Sequence, residues 1–260
     1  MKSNYINGEL AEEIDGKIKL VRELDKSMYK LSLKRCDKKA IEKNARIHSY
    51  RIENPGHGVP FSVPRNTHRK GIKEGIKNIE NAFKWGVENF DPEKFEESFI
   101  RELAGRITPE FYDSEIAIYR DISGRIVGSR TIPPQPYKFK TREIPEFVNH
   151  IKDNLSCPEI IKKIETAIYS HLHLARIHPF VDGNGRTSRI LQDIILDHLD
   201  IPVPIINAGE RHTYYNTLRK AILDWNNQSG EEKKEVTEGE ELFYDFIAGK
   251  INVSLDQLLR

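Results

Sequence analysis

The residues best suited to chemistry lie in one stretch, His178 to Arg189, which reads HPFVDGNGRTSR. His178 is the side chain here whose ordinary pKa suits proton transfer near neutral pH. Asp182 is a short, hard oxygen ligand of the kind that shares Mg²⁺ with phosphates. Gly183, Asn184 and Gly185 can each take the positive φ angles of a nest, in which successive backbone N–H groups converge on an anion. Arg186 and Arg189 stand three apart, and both can fork onto phosphate oxygens. Singly these residues are turn chemistry. Together they describe a phosphate site with an acid–base group beside it.

Several elements must hold that stretch in place. Ile190, Leu191, Ile194, Ile195 and Leu199 form a helical stripe, so Thr187 to Leu199 reads as a helix whose N-terminus faces the anion. Upstream, residues 158–177 place Ile161, Ile164, Ile168, Leu172 and Ala175 on one face and deliver His178 into the motif. His171 and His173 lie two apart on that helix and point to different sides, which makes them poor co-ligands for a metal. Phe180 is expected to anchor the loop in the core. Residues 116–134 partly alternate apolar and polar side chains, with turn candidates at Ser123-Gly124 and Gly128-Ser129, and read as a hairpin. Arg211 to Leu223 reads as a helix whose Tyr214 or Tyr215 either packs in the core or borders an aromatic base.

The remaining chain is helical in pattern. Leu10, Ile14, Ile18, Val21, Leu24, Met28 and Leu31 predict one amphipathic helix over 9–33. Further helices are expected at 38–52, 73–85, 93–107, 143–153 and 243–259, with loops at 55–69 and 226–240. His57 and His68, in and near the first loop, are expected to be exposed. At 260 residues with a formal charge of +1, the chain can bury a sizeable core but lacks the basic balance of a nucleic-acid binder. Cys36 and Cys157 form no metal or disulfide pattern, and no apolar run could span a membrane. A cytoplasmic protein is expected.

HPFVDGNGRTSR resembles the signature of Fic-domain proteins, HxFx(D/E)GNGRxxR, with each defining position present. The resemblance implies an all-α fold, a helical bundle with a small β-hairpin flap over the active site. It places the flap tip at Val127, Gly128, Ser129 and Arg130. It implies a protein AMP-transferase that moves AMP from ATP, with Mg²⁺ at Asp182, to a Tyr, Thr or Ser hydroxyl of a target protein. His178 would be the general base. Gly183, Asn184, Gly185, Arg186 and Arg189 would bind phosphate, with Arg189 as the γ-phosphate partner. Upstream, Ser49-Tyr50-Arg51-Ile52-Glu53-Asn54 matches the family's inhibitory pattern (S/T)xxxE(G/N), in the subclass whose inhibitory helix is N-terminal. There Glu53 would pair with Arg189 and hold the site closed. Thr237 and Glu241 repeat the spacing but are followed by Leu242, so the copy at Ser49 is preferred.

The segments implied are 1–54 with the inhibitory motif, a core over 70–225, and a C-terminal helical extension over 226–260. The family often carries an Asn on the base eight residues after the tyrosine, where this chain has Ile222, so base preference stays open. Other readings are a different nucleotide donor, removal of AMP from modified protein, and a non-catalytic interaction module. The expected partners are ATP and a hydroxyl-bearing protein, with a second copy of the chain as a further candidate through self-modification or self-association. Neither nucleic acid nor membrane is expected.

Overall fold

The computed structural model describes residues 5–24, 28–53, 65–112, 115–124, 126, 131–228 and 236–260, with side chains described outside 28–36 and 65–71. Helices dominate: α1 Gly8–Leu24, α2 Met28–Glu53, α3 Arg65–Asn89, α4 Glu97–Ile107, the short α5 Pro136–Lys138, α6 Ile144–Leu155, α7 Ile160–Ile177, α8 Asn184–His198, α9 Arg211–Asn227 and α10 Glu238–Leu259. Helix α8 is the centre. Ile190, Leu191, Ile194 and Ile195 on it are wholly buried, and α7, α3, α4 and α2 all pack against it. At the other end α10 lies between α9 and α1, and α1 turns Ala11, Ile14, Ile18 and Val21 inward. No helix among the described residues is long and apolar enough to cross a membrane.

Several boundaries differ from the sequence expectation. The helix expected over 9–33 is two helices, α1 ending at Leu24 and α2 starting at Met28. The apolar spacing runs on across the break, so periodicity does not mark it. Helix α2 then continues unbroken through the expected 38–52 helix. Helix α3 starts at Arg65, inside the expected loop, because its first turns are polar and carry no apolar period. The 93–107 helix begins as a separate 3₁₀ turn, Pro92–Lys94, capped by Asp91, whose side chain accepts from the Glu93 N–H at 3.0 Å. Thr237 caps α10 in a reciprocal box with Glu240, so this second Thr-xxx-Glu copy serves as a helix start. His57 and the side chain of His68 lie outside the described residues.

The hairpin is also corrected in part. Its expected tip, Val127 to Arg130, lies outside the described residues. The described arms, 115–124 and 131–135, form no ladder with each other; the single bridge there joins Tyr119 to Phe180. Arg120 joins the arms instead. Its guanidinium donates to the carbonyls of Ile122 at 2.8 Å and Pro134 at 2.6 Å, and its Nε to that of His178 at 2.7 Å.

Candidate active site

Helix α7 ends in a left-handed residue, and that residue is His178 (φ 51°). Its N–H still donates to the Leu174 carbonyl at 3.0 Å, and Pro179 prevents the helix from continuing. A non-glycine residue in this region costs about 1–2 kcal/mol, a strain typical of functional positions. The loop that follows is pinned on two sides. The Arg120 N–H donates to the Pro179 carbonyl, and the Asn184 side-chain amide both accepts from and donates to the Phe180 backbone at 2.9 Å. Phe180 is buried, as expected of the anchor.

Among the three nest candidates, only Gly183 takes a positive φ, 76°. A Cβ there would lie 2.7 Å from Thr108 Cγ2, so glycine is required for space as well as for angle. Asn184 and Gly185 already belong to the first turn of α8, whose backbone has the ordinary right-handed form. The expectation of three positive φ angles is therefore corrected: one left-handed residue followed by a helix start aims the N–H groups. The Asn184 side chain is committed to Phe180, and only its backbone is left for a ligand.

A cavity of about 500 Å³ opens over this turn. His178, Asp182, Gly183, Asn184, Gly185 and Arg189 line it on one side, and Arg211, Tyr214, Tyr215, Arg219 and Ile222 on the other. His178 Nδ1 is turned to the Ala175 carbonyl at 3.4 Å, which leaves Nε2 as the acceptor toward the cavity. Burial, aided by the nearby Arg120 charge, holds the imidazole pKa below its usual value, so the ring is neutral at pH 7. A neutral ring protonated on Nδ1 is the form a general base requires.

Glu53, the last residue of α2, reaches into this cavity. Its carboxylate accepts from Arg189 Nη2 at 2.7 Å and from Arg186 Nε at 2.8 Å. Arg186 also holds Asp182 at 2.6 Å. Ser49 accepts twice from Arg189, at Oγ from Nε (2.8 Å) and at the carbonyl from Nη2 (3.0 Å). A Cβ on Gly185 would lie 2.3 Å from Glu53 Oε1, so the carboxylate rests directly on the glycine turn. The α2 end is tied further by Arg211, whose Nε donates to the Ile52 carbonyl at 2.7 Å.

Residues 94–196 match the sequence model of the Fic/DOC family. The chain carries a Fic domain. A protein adenylyltransferase Fic from Nematostella vectensis is 37% identical over 124 residues, 47% of this chain and 27% of that protein. One from Aedes aegypti is 35% identical over 92 residues, 35% of this chain and 17% of that protein. The chain thus spans about a quarter or less of the length of these relatives. A Fic-domain signaling protein from Bacteroides thetaiotaomicron has the same fold, with a TM-score of 0.71, 18% identity and 95% of both chains covered. The Caenorhabditis elegans Fic-1 fragment, at a TM-score of 0.66 and 17% identity, covers 96% of this chain and 72% of that one. An IbpAFic2 structure tethered to Cdc42 aligns at a TM-score of 0.56 and 16% identity, over 95% of this chain and 70% of that one.

The Fic turn therefore brings together His178, Asp182, Gly183, Gly185, Arg186 and Arg189, with Ser49 and Glu53 arriving from α2. Tyr214 is wholly buried and spends its hydroxyl on Arg189 (3.1 Å) and His171 (2.9 Å). Of the two alternatives, core packing describes Tyr214, which forms a buried wall of the cavity. Tyr215 is half-buried and stays at the rim, and Ile222 lies on the same wall. Sequence reasoning missed Arg211, Asn216 and Arg219 as lining residues. They flank Tyr214 on α9 at ordinary surface spacing, and no motif marks them.

Proposed function

We propose that the protein transfers AMP from ATP to a Tyr, Thr or Ser hydroxyl of a target protein, and that Glu53 holds it inhibited. One observation carries the reading: His178, Asp182 and the α8 N-terminus share one cavity with the Arg189 guanidinium, and Arg186 reaches its edge through Glu53 and Asp182. The names of the curated relatives and the Cdc42 complexes of Fic neighbours support AMP transfer onto protein. The cytoplasm, where ATP and protein targets are both at hand, is the proposed setting.

The phosphate chain would lie across Gly183 to Gly185, with its tail at Arg186 and Arg189. The target oxygen bonds to the α-phosphorus as the bond to the α–β bridging oxygen breaks, and pyrophosphate leaves. His178 Nε2 takes the hydroxyl proton. Asp182 fits a Mg²⁺ bound with the nucleotide, since it is a half-exposed carboxylate at the cavity lip; the ion would offset phosphate charge. Most of the rate gain comes from positioning and charge stabilisation. Glu53 opposes this because it fills the guanidiniums meant for the phosphate tail and sets a negative charge against it.

ATP labelled on the α-phosphate, incubated with Mg²⁺ and cell lysate, tests the proposal. Strong protein labelling is expected with Glu53→Gly, little with wild type, and none with Glu53→Gly plus His178→Ala. A band at the chain's own mass would identify a second copy as a target. Absence of label in all three, with AMP stripped from a modified protein by wild type, would replace transfer with removal.

A further inference from the structure

Arg189 makes four hydrogen bonds, and three of them go to the last turn of α2: Ser49 Oγ, the Ser49 carbonyl and Glu53. The fourth runs the opposite way, from Nη1 to the Tyr214 hydroxyl at 3.1 Å. Behind Tyr214 lies a buried chain. Its hydroxyl is 2.9 Å from His171 Nε2, and His171 Nδ1 is 2.9 Å from Gln192 Oε1. Tyr214, His171 and Gln192 are each no more than 1% exposed.

Proton counting gives the chain one direction. A guanidinium only donates, so the Tyr214 oxygen must accept from Arg189 and can give its own proton to His171 Nε2. Burial pushes the His171 pKa down to about 3, so the ring is neutral with a single N–H. That proton is then on Nδ1 and is donated to the Gln192 oxygen. Each group is satisfied in this one arrangement, and such a fully satisfied buried network fixes geometry.

We infer that Tyr214, backed by His171 and Gln192, is a positioning residue that keeps Arg189 aimed into the cavity once the α2 turn withdraws. The inference rests on the proposed ATP reading. If Glu53 and Ser49 leave together, Tyr214 is the anchor that remains, and the arginine meets the phosphate tail already oriented. Without the hydroxyl the guanidinium is free to swing, and ordering it falls on the nucleotide.

The test uses the full chain in the Glu53→Gly, Ser49→Ala background, which leaves Arg189 only the Ser49 carbonyl on α2, with and without Tyr214→Phe. ATP and AMP binding are titrated in Mg²⁺, and KM for ATP and kcat for transfer are measured. Tyr214→Phe is expected to weaken ATP and raise its KM about tenfold, the scale of one hydrogen bond to a charged group. AMP, which lacks the phosphate tail, is expected to stay within about twofold, and kcat likewise. Equal loss of ATP and AMP would mean that Tyr214 holds the base or the fold, and would overturn the inference, as would no loss at all. His171→Phe, which removes the support without touching the cavity, is expected to give the same selective ATP defect. If the background protein binds no ATP, the parent reading fails and this one falls with it. If it binds ATP and neither variant separates ATP from AMP, only the inference fails.

Discussion

At the scale of single residues, the site holds a histidine kept neutral. Burial lowers the His178 pKa, and the neighbouring Arg120 charge acts in the same direction. In the proposed role as general base the working form is the unprotonated one, which is populated above the pKa. In Glu53→Gly, the acid limb of kcat/KM for labelled transfer is therefore expected to be centred below about 6.5, the ordinary histidine value. Removing Glu53 also removes a nearby negative charge that favours the imidazolium, which moves the fall lower still. An acid limb centred at or above pH 6.5 would contradict a buried, neutral base.

At the scale of elements, the two arms 115–124 and 131–135 are joined through Arg120. Arg120→Met keeps the aliphatic stem but strands the carbonyls of His178, Ile122 and Pro134. Hydrogen bonds to a charged group are worth roughly 1.5–3 kcal/mol each, and neighbours share the loss. A destabilisation on the order of 3 kcal/mol is expected in urea unfolding, with transfer by the Glu53→Gly form lost even where the protein stays folded. An unchanged urea midpoint would show that the arms are held by something else. The sequence pattern made part of this visible. The α8 stripe and the delivery of His178 by α7 follow from residue type and spacing, whereas the Ser49–Glu53 pair on α2 stands out only through the family resemblance; the structure brings all three together. Other features left no trace at that level. The break between α1 and α2 keeps its apolar period, and the polar start of α3 has none. The Arg120 cross-link and the Tyr214–His171–Gln192 chain join residues far apart in sequence, so no local spacing encodes them. Asn184 was legible as a turn residue, but its amide closing on Phe180 depends on a loop geometry that spacing does not give.

At the scale of the whole molecule, the inhibitory reading is a statement about linkage. Glu53→Gly removes the carboxylate partner of two buried guanidiniums. Breaking a fully buried pair costs about 3–5 kcal/mol, and less is expected here because the Glu53 side chain is 21% exposed. The variant should therefore unfold at a lower temperature than wild type. ATP with Mg²⁺ should then restore much of the loss, about 2.7 kcal/mol at a hundredfold excess over Kd. Wild type, with its arginines already occupied, should gain less. Thermal scans of both proteins with and without nucleotide measure the difference, and equal gains would mean that Glu53 does not compete with the phosphate tail.

The pinning of the loop after α7 has a separate consequence. Among the described residues, the hydrogen bonds that orient His178 and close its loop come from Leu174, Ala175, Arg120 and Asn184, and none of these lies on α2. The proposed gate and the proposed proton acceptor therefore share one cavity but no orienting hydrogen bond. On the proposed reading, a lesion in one leaves the hydrogen bonds of the other in place, so selection could retune how often the site opens while touching the proton acceptor through charge alone.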